Sequence, residues 1–237
     1  MNTIVLTFTY PADAEKAALG AAFLPKSWRK IWCVESAHAS QITPPEGVDL
    51  LVRDFPRGNT LRGDGAVNAQ AQIYRELGAE CDCLVKLDSD TVLFRPEAFT
   101  APCEFSDIDF TYIRRHHFES RLLANGCCYA MSRRAIDRLA AFPAEHPKNF
   151  KGHEDLIFSE FFTCQHKDLT LCQIDKTKIY WHTKPSMSSR HFAAHYGYIT
   201  TAQMHALLVE HLKECRPLSS ELKNLYEILH RHKYIPD

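Results

Sequence analysis

The sequence contains no apolar run that approaches the ~20 residues of a membrane-spanning helix. Its formal net charge of −1 lacks the broad basic field of proteins that bind nucleic acid or anionic membranes. Internal repeats, low-complexity segments and linkers rich in proline, glycine and serine are also absent. We therefore expect a single fused domain over residues 1–237, with no nucleic-acid partner and at most peripheral membrane association.

The nine cysteines do not follow the spacing of a disulfide framework. Cys81 and Cys83 are separated by one residue, and Cys127 and Cys128 are adjacent, whereas zinc sites space their paired cysteines further apart. The N-terminal stretch MNTIVLTFTYPADAEK has no basic start and only a short apolar core, so we expect a first strand rather than a signal peptide. Reduced thiols and a cytoplasmic location are the resulting expectations.

Apolar segments alternate with helical ones over the first 95 residues. Strands are predicted at Thr3–Tyr10, Trp28–Ser36, Gly47–Phe55 and Asp82–Asp90. Helices are predicted over residues 12–25 and at Asp64–Gly78. Near-continuous apolar strands that alternate with helices predict an α/β fold of Rossmann type, with a mostly parallel sheet flanked by helices.

Beyond residue 95 the alternation becomes less regular. Further strands are predicted at Asp107–His116, Gly126–Ser132 and within Asp175–Lys184. Helices are predicted over 133–142 and at Glu154–Gln165, Thr201–Cys215 and Ser219–His232. This change separates a nucleotide-type half from an irregular half within the same domain.

Asp88 and Asp90 follow an apolar strand in the segment CLVKLDSDTVLF. Enzymes with parallel sheets bind ligands at the carboxyl ends of strands. Two neighbouring carboxylates repel each other unless a cation or proton lies between them, and hard divalent cations take oxygen ligands and bridge to phosphates. The pattern favours a metal–diphosphate site, and the alternative is a plain strand or turn cap.

The segment DSDTVL also resembles the first motif of the haloacid-dehalogenase-like phosphatases. In that alternative Asp88 is the nucleophile and Asp90 the acid/base with Mg²⁺. Lys151 and the pair Glu154-Asp155 would then supply the later lysine and acidic residues. The position of the motif argues against this alternative, because that family opens its core with the motif, whereas three predicted strands precede it here.

Three further segments follow the D-x-D in a particular order. Leu122–Leu139 has a small-residue turn before a helix, Gly152–Phe162 has an acidic pair before an apolar helix, and Ile179–Ser186 has a histidine just past a strand. Together they resemble the nucleotide-sugar-dependent glycosyltransferases of the GT-A fold, over roughly residues 3 to 185. The resemblance is greatest to the inverting branch that contains the fringe and β-1,3-galactosyltransferase-like enzymes.

This resemblance implies a GT-A-like domain with a small second sheet. It implies a nucleotide-binding half over 1–95, an acceptor and catalytic half over 96–200 and C-terminal helices over 201–237. The implied activity is metal-dependent transfer of a hexose from a nucleotide-sugar, expected to be a UDP-sugar, to a glycan acceptor, with inversion. A protein that binds the sugar nucleotide without catalysis is the non-enzyme alternative.

The resemblance also implies the residues that bind the donor and the metal. Donor binding is assigned to Thr7, Phe8, Tyr10, Glu35, Arg62, Asn68, Asp88, Ser89 and Lys184. The cation is assigned to Asp88, Asp90 and His182, with His191 and His195 as alternatives to His182. Histidine suits Mn²⁺ better than Mg²⁺, so Mn²⁺ is expected and Mg²⁺ is the alternative.

The acceptor side is assigned in the same way. Asn125 and Gly126 correspond to positions that contact the acceptor or the donor sugar. Asp155, with Glu154 beside it, corresponds to the general base that an inverting enzyme needs to deprotonate the acceptor hydroxyl. Both acids also suit the first turn of a helix, where negative charge is favoured by the helix dipole.

Overall fold

A computed structural model of the protein describes residues 1–54, 64–114, 124–142, 154–175, 179–181 and 191–214. The strands in these ranges are β1 (Thr3–Phe8), β2 (Arg29–Glu35), β3 (Val48–Arg53), β4 (Cys83–Asp88), β5 (Thr91–Leu93), β6 (Phe110–Arg114), β7 (Ala124–Ser132), β8 (Leu171–Ile174), β9 (Ile179–Trp181) and β10 (Ala193–His195). The helices are α1 (Ala14–Ala22), α2 (Asp64–Gly78), α3 (Glu97–Phe105), α4 (Arg133–Arg138), α5 (Glu154–Glu160) and α6 (Thr201–Glu214). None of the helices in these ranges has the length and apolar character to span a membrane. The helix predicted at Ser219–His232 lies outside the described residues.

Seven strands form one sheet in the order β3-β2-β1-β4-β7-β6-β8. Within the described ranges, β7 alone runs against the other six strands. The predicted mostly parallel α/β sheet is therefore confirmed. Phe8 pairs in register with Cys33 of β2 and with Asp88 of β4, so the carboxyl ends of three neighbouring strands meet at one edge.

Helices cover both faces of this sheet, which explains why its strands read as apolar runs. Along β4, Leu84 joins a buried layer that includes Tyr74 of α2, whereas Val85 faces a layer that includes Phe99 of α3. Because side chains alternate along a strand, Lys86 points into the same layer as Leu84. A charged side chain therefore enters the apolar core two residues before the D-x-D.

A second, smaller sheet has the order β5-β10-β9, which confirms the small sheet that the resemblance implies. β10 runs antiparallel to β5 and parallel to β9. The predicted fourth strand extends to Asp90, but the chain leaves the large sheet at Asp88 and turns before β5 enters the small sheet. The backbone N–H of Tyr196 donates to the carbonyl of Asp90 at 2.8 Å and joins this turn to the end of β10. The D-x-D thus lies where the two sheets meet.

Candidate metal centre and active site

Asp88, Asp90 and His195 form a compact cluster at the junction of the two sheets. Asp88 ends β4, Asp90 lies in the following turn and His195 ends β10. One ligand atom from each residue lies within 4.8 Å of the others. Thr91 pairs with His195 across the small sheet, and this register brings the histidine to the two carboxylates.

The carboxylate of Asp90 lies against the imidazole of His195. Oδ1 of Asp90 is 3.1 Å from Nδ1 of His195. Burial disfavours the charged carboxylate, but the neighbouring imidazole outweighs burial and lowers the pKa of Asp90. The same oxygen is buried and accepts no hydrogen bond of acceptable geometry from the described residues. A buried, charged oxygen whose one close contact is this ion pair is costly unless a further positive group completes its contacts.

His195 is oriented by contacts on two sides. Its Nδ1 is 3.1 Å from the hydroxyl of Thr91, and the ring of Trp181 packs against it edge-on at 5.2 Å. Burial lowers the pKa of His195, but the close contact with the negatively charged carboxylate of Asp90 outweighs burial and raises it. With Nδ1 engaged by its neighbours, Nε2 is the nitrogen that remains for a ligand.

Gly197 leaves space beside these ligand atoms. A Cβ at Gly197 would come within 2.9 Å of Nε2 of His195 and 3.4 Å of Oδ2 of Asp90. Two carboxylates and one imidazole are ligand types that divalent cations such as Mn²⁺ accept. The space, the ligand types and the unsatisfied oxygen of Asp90 together fit a divalent cation.

The three histidines considered for the metal occupy different places. His195 lies with Asp88 and Asp90, whereas the ring of His191 packs against the ring of Tyr180 at 5.9 Å. His182 lies outside the described residues.

Lys86 connects the candidate metal site to the neighbouring strand and was not assigned from the sequence. Its Nζ donates hydrogen bonds to Oδ1 of Asp88 and to the carbonyl of Gly126. Burial alone would lower the pKa of Lys86, but Asp88, Glu154 and Tyr74 raise it above its ordinary value. The signal that could have identified it is a lysine on the inward face of a buried strand, where an uncompensated charge is expensive.

The acidic pair begins α5 and lies beside β7. Asp155 is buried, and its Oδ1 accepts a hydrogen bond from the backbone N–H of Leu156 at 2.9 Å. A Cβ at Gly126 would lie 2.7 Å from the Cβ of Asp155, so only glycine permits this approach. Burial raises the pKa of Glu154, Lys86 lowers it, and the nearby charge of Asp88 adds to the increase. The structure therefore brings together Gly126 and Asp155, two of the residues assigned to the acceptor side.

Asn125 has a local structural contact on the same strand. Its side-chain oxygen accepts a hydrogen bond from the backbone N–H of Cys127 at 3.0 Å. This contact fixes the strand around Gly126, which faces α5. Asn125 therefore lies next to Gly126 and Asp155, and its side-chain oxygen is engaged by the backbone of the same strand.

The residues assigned to the nucleotide cluster at the ends of β1 and β2. Thr7 and Phe8 end β1, and the ring of Tyr10 lies 5.9 Å from the ring of His38. Glu35 ends β2 and approaches Nε2 of the same histidine at 4.0 Å. His38 was not assigned from the sequence, because the short helical turn that carries it has no distinctive pattern.

Of the remaining residues assigned to the donor, two lie within the described ranges and two lie outside them. Ser89 is buried in the turn between the two carboxylates, and Asn68 is half-buried on α2. Arg62 and Lys184 lie outside the described residues.

A third acid, Asp13, lies close to the candidate metal site at the start of α1. Burial raises the pKa of Asp13, and the charges of Asp90 and Asp88 raise it further, although Lys16 lowers it. Nζ of Lys16 is 3.8 Å from Oδ1 of Asp13, and its charge also stabilises the ionised Asp90. This pair was not visible in the sequence, because it lies far from the D-x-D along the chain and only the fold brings them together.

No protein-family model matches this sequence, and no curated protein matches it. Solved structures nevertheless have a similar fold. A glycosyltransferase involved in the glycosylation of the major capsid of PBCV-1 has a TM-score of 0.53 and 11% identity, covering 86% of this chain and 97% of that chain. Galactosyltransferase LgtC in complex with donor and acceptor sugar analogues has a TM-score of 0.56 and 10% identity, covering 94% of this chain and 99% of that chain. An active-site mutant of LgtC has a TM-score of 0.57 and 11% identity, covering 96% of this chain and 95% of that chain.

These similarities extend over most of each chain at low sequence identity, and they concern architecture rather than a particular branch. They do not distinguish the fringe-like branch from other glycosyltransferases. The chain has the GT-A fold of glycosyltransferases.

Proposed function

We propose that this protein is a metal-dependent glycosyltransferase that transfers a sugar from a nucleotide-sugar to a glycan acceptor, with inversion at the anomeric carbon. The observation that carries the proposal is the cluster of Asp88, Asp90 and His195 at the carboxyl edge of a GT-A sheet. That edge is where open α/β sheets bind their ligands. A UDP-sugar is the proposed donor and Mn²⁺ the proposed cation, with Mg²⁺ as the alternative.

Asp90 and His195 would hold the cation, with Asp88 contributing its second carboxylate oxygen. Cleavage of the sugar–diphosphate bond builds negative charge on the leaving group, and a bound divalent cation supplies the Lewis-acid chemistry that neutralises it. The end of β1 lies beside Asp88, and β2 is the next strand in the sheet. These two strand ends would bind the base and ribose through Tyr10 and Glu35. Thr7, Phe8, Asn68, Ser89, Arg62 and Lys184 complete the proposed donor site.

The acidic pair at the start of α5 would act on the acceptor. An inverting transfer needs a base on the face of the sugar opposite the leaving group. Asp155 is the proposed base, with Glu154 beside it and Asn125 and Gly126 as neighbouring sugar contacts. The raised pKa of Glu154 makes its carboxylate more basic than usual. Glu154 could therefore also accept the proton, and both acids are substituted in the experiment below.

Neither alternative activity is favoured by a specific observation. The phosphatase alternative needs Lys151, which lies outside the described residues, and a motif that opens the core, whereas β4 follows three other strands. A protein that only binds the sugar nucleotide would share the cation site. A thermal-shift series separates the phosphatase from the other two, because phosphate alone should protect a phosphatase and UDP with Mn²⁺ should protect the others.

Transfer by Asp155→Asn and Glu154→Gln tests the catalytic part of the proposal. A panel of UDP-sugars is assayed with simple glycoside acceptors, and the anomeric configuration of the product is read by NMR. Loss of the base should lower transfer by about 10²-fold or more while Mn²⁺ and UDP still bind. Asp137→Asn, an exposed acid that pairs with Arg133 on α4, is the matched control and should transfer normally.

Two results would contradict this assignment. Near-normal transfer by both acidic variants would remove the proposed base. A retained anomeric configuration would remove inversion, and with it the likeness to the fringe-like branch. Binding of UDP and Mn²⁺ without transfer to any acceptor or to water would support the non-catalytic alternative.

A further inference from the structure

Lys86 is a fully buried cation in the centre of the molecule. Its residue exposure is 1%, and it lies between Val85 and Leu87 in the interior strand β4. Its register partner on β7 is Tyr129, and its Nζ lies 5.7 Å from the centre of that ring. An apolar residue would fill this place without the cost of removing an ammonium from water. The lysine therefore needs an explanation beyond packing.

The contacts of Lys86 are directed at the two sides of the proposed active site. Nζ donates to Oδ1 of Asp88 on the cation side and to the carbonyl of Gly126 on the acceptor side. Gly126 in turn lies against Asp155, because a Cβ added to this glycine would come within 2.7 Å of the Cβ of Asp155. One ammonium group thus fixes one carboxylate oxygen of Asp88 and the backbone that lies against Asp155.

The positive charge of Lys86 also reduces the negative charge that the proposed cation site offers to a divalent cation. Two carboxylates and one ammonium leave a single net negative charge, because His195 binds a metal only as a neutral ring. Of the other nearby charges, Asp13 is offset by Lys16, and burial disfavours the charged form of Glu154. A divalent cation is therefore only partly compensated by these groups. A nucleoside diphosphate would bring the missing negative charge to the same place.

We propose that Lys86 is a positioning residue that occupies one oxygen of Asp88 and makes tight cation binding depend on the nucleotide diphosphate. This inference rests on the proposed function, since it assumes that a cation and a nucleoside diphosphate share the site. Binding of either ligand then strengthens binding of the other by the same factor, as linkage requires. The cation would bind mainly as its complex with the donor.

Mn²⁺ binding by Lys86→Met tests the proposal. Methionine keeps most of the length and apolar volume of the side chain but carries no charge. Free Mn²⁺ is measured by electron paramagnetic resonance, with and without UDP, in wild type and variant. Removal of a nearby like charge should tighten the binding of Mn²⁺ alone by about tenfold and reduce the strengthening by UDP by a similar factor.

Lys30→Met is the matched control. Lys30 is half-buried at the start of β2, away from the carboxyl ends of the strands, and its Nζ donates to the carbonyl of Trp28 at 3.4 Å. This substitution removes the same charge and should leave both Mn²⁺ measurements unchanged. A core lysine with only a structural role would behave in the opposite way to the proposal, because its loss would loosen the site and weaken Mn²⁺ binding.

A folded Lys86→Met variant that binds Mn²⁺ alone no more tightly than wild type would overturn the proposal. If Lys86→Met does not fold, Lys86→Gln is measured in its place, since its amide still donates a hydrogen bond and carries no charge. Lys86→Gln should also bind Mn²⁺ alone about tenfold more tightly than wild type, and unchanged or weaker binding would overturn the proposal. Asp90→Ala is included throughout. If wild type shows no Mn²⁺ binding that Asp90→Ala removes, the cation site of the proposed function fails together with this inference.

Discussion

At the scale of residues, the proposed cation site depends on the imidazole of His195 and on the absence of a side chain at Gly197. His195 supplies a nitrogen ligand that Asp90 and Thr91 hold in place. Gly197 leaves the space that a ligand bound to that nitrogen would need. Each group gives a separate test. The imidazole of His195 can be protonated by lowering the pH, whereas the space at Gly197 is altered only by a substitution.

Gly197→Ala should block the cation without removing any of its ligands. The added Cβ would lie 2.9 Å from Nε2 of His195. We expect Mn²⁺ affinity to fall about tenfold or more, the usual scale for disturbing the surroundings of a metal ligand. The free energy of unfolding in urea should fall by about 1–3 kcal/mol, typical of overpacking, because the imidazole of His195 has to shift.

Gly47→Ala is the control for this substitution. A Cβ at Gly47 meets no atom within 4 Å, but the backbone there has φ of 77°. Alanine in this left-handed region should cost about 1–2 kcal/mol of stability and leave Mn²⁺ affinity unchanged. Unaltered Mn²⁺ binding by Gly197→Ala would mean that the cation does not occupy the space beside Nε2.

The affinity for Mn²⁺ should depend on pH through His195. A proton and a metal compete for the neutral ring, and the pKa of His195 is raised above the ordinary 6.5 mainly by Asp90, against the effect of burial. Mn²⁺ affinity measured by calorimetry should therefore begin to fall above pH 6.5 as the solution is acidified. His191→Asn should keep this pH dependence, and a wild-type affinity that is constant between about pH 8 and 6 would exclude His195 as a ligand.

The same shifts act on the stability of the metal-free protein. The raised pKa of His195 contributes stability that is present below pH 6.5 and is lost as pH rises through its folded-state pKa. The lowered pKa of Asp90 contributes stability that is present above pH 3.8 and is lost as pH falls through its folded-state pKa. The pair should therefore stabilise the metal-free fold most between about pH 3.8 and 6.5.

At the scale of elements, the candidate site depends on short strands and on the close contact between β7 and α5. β4 ends at Asp88 and β5 begins at Thr91, so only two residues separate the large sheet from the small one. On the other side, Gly126 of β7 lets the start of α5 approach. The two sides of the proposed site are therefore supported by different elements, and Lys86 joins them.

Gly126→Ala should damage the acceptor side and spare the cation side. Its Cβ would lie 2.7 Å from the Cβ of Asp155, so either β7 or α5 has to move. We expect a cost of about 1–3 kcal/mol in the free energy of unfolding, typical of overpacking. Transfer should fall by at least about tenfold, whereas Mn²⁺ affinity should change less, because the cation side is joined to Gly126 only through Lys86.

Gly20→Ala provides the complementary variant. Its Cβ would lie 2.8 Å from the carbonyl oxygen of Thr91 on β5, so it should disturb the cation side and lower Mn²⁺ affinity. Equal effects of Gly20→Ala and Gly126→Ala on Mn²⁺ binding would contradict the separation of the site into two sides.

The sequence was most informative about the long elements. α2 is observed at Asp64–Gly78, as predicted, because an amphipathic run there stops at a glycine. The short strands β5, β8 and β10 and the helix α3 were not predicted. Strands of three or four residues have too few positions to show alternation, and they form because a partner strand is available. The proline inside α3, Pro102, also hides that helix from its local pattern.

The candidate site was predictable only in part for the same reason. Asp88 and Asp90 are visible because they end an apolar run. The choice among the histidines is not visible, because the contact of His195 with Thr91 joins residues 104 positions apart. Lys86 was visible as a lysine in a buried strand, but its partner Gly126 belongs to β7, whose pairing with β4 is a property of the folded sheet.

For the whole molecule, the strand order explains why the site lies where it does. β1 lies between β2 and β4, so the proposed base, ribose and diphosphate contacts all follow from neighbouring strand ends. The small sheet adds His195 from a distant part of the chain. The GT-A architecture follows from these pairings, whereas the donor, the acceptor and the stereochemical course depend on individual side chains.

Calorimetric titration of UDP into the protein tests the central claim most directly. It is performed with Mn²⁺, with a chelator, and on Asp90→Ala with Mn²⁺. Asp90 lies in a turn between sheets rather than in the apolar core, so the variant should fold, as checked by its unfolding transition. We expect UDP binding by wild type with Mn²⁺ and binding about 100-fold weaker or absent in the other two, on the scale expected when a metal that bridges to phosphates is lost. Equal UDP affinity in all three titrations, or no UDP binding by wild type with Mn²⁺ or Mg²⁺, would contradict the proposed metal-dependent donor site.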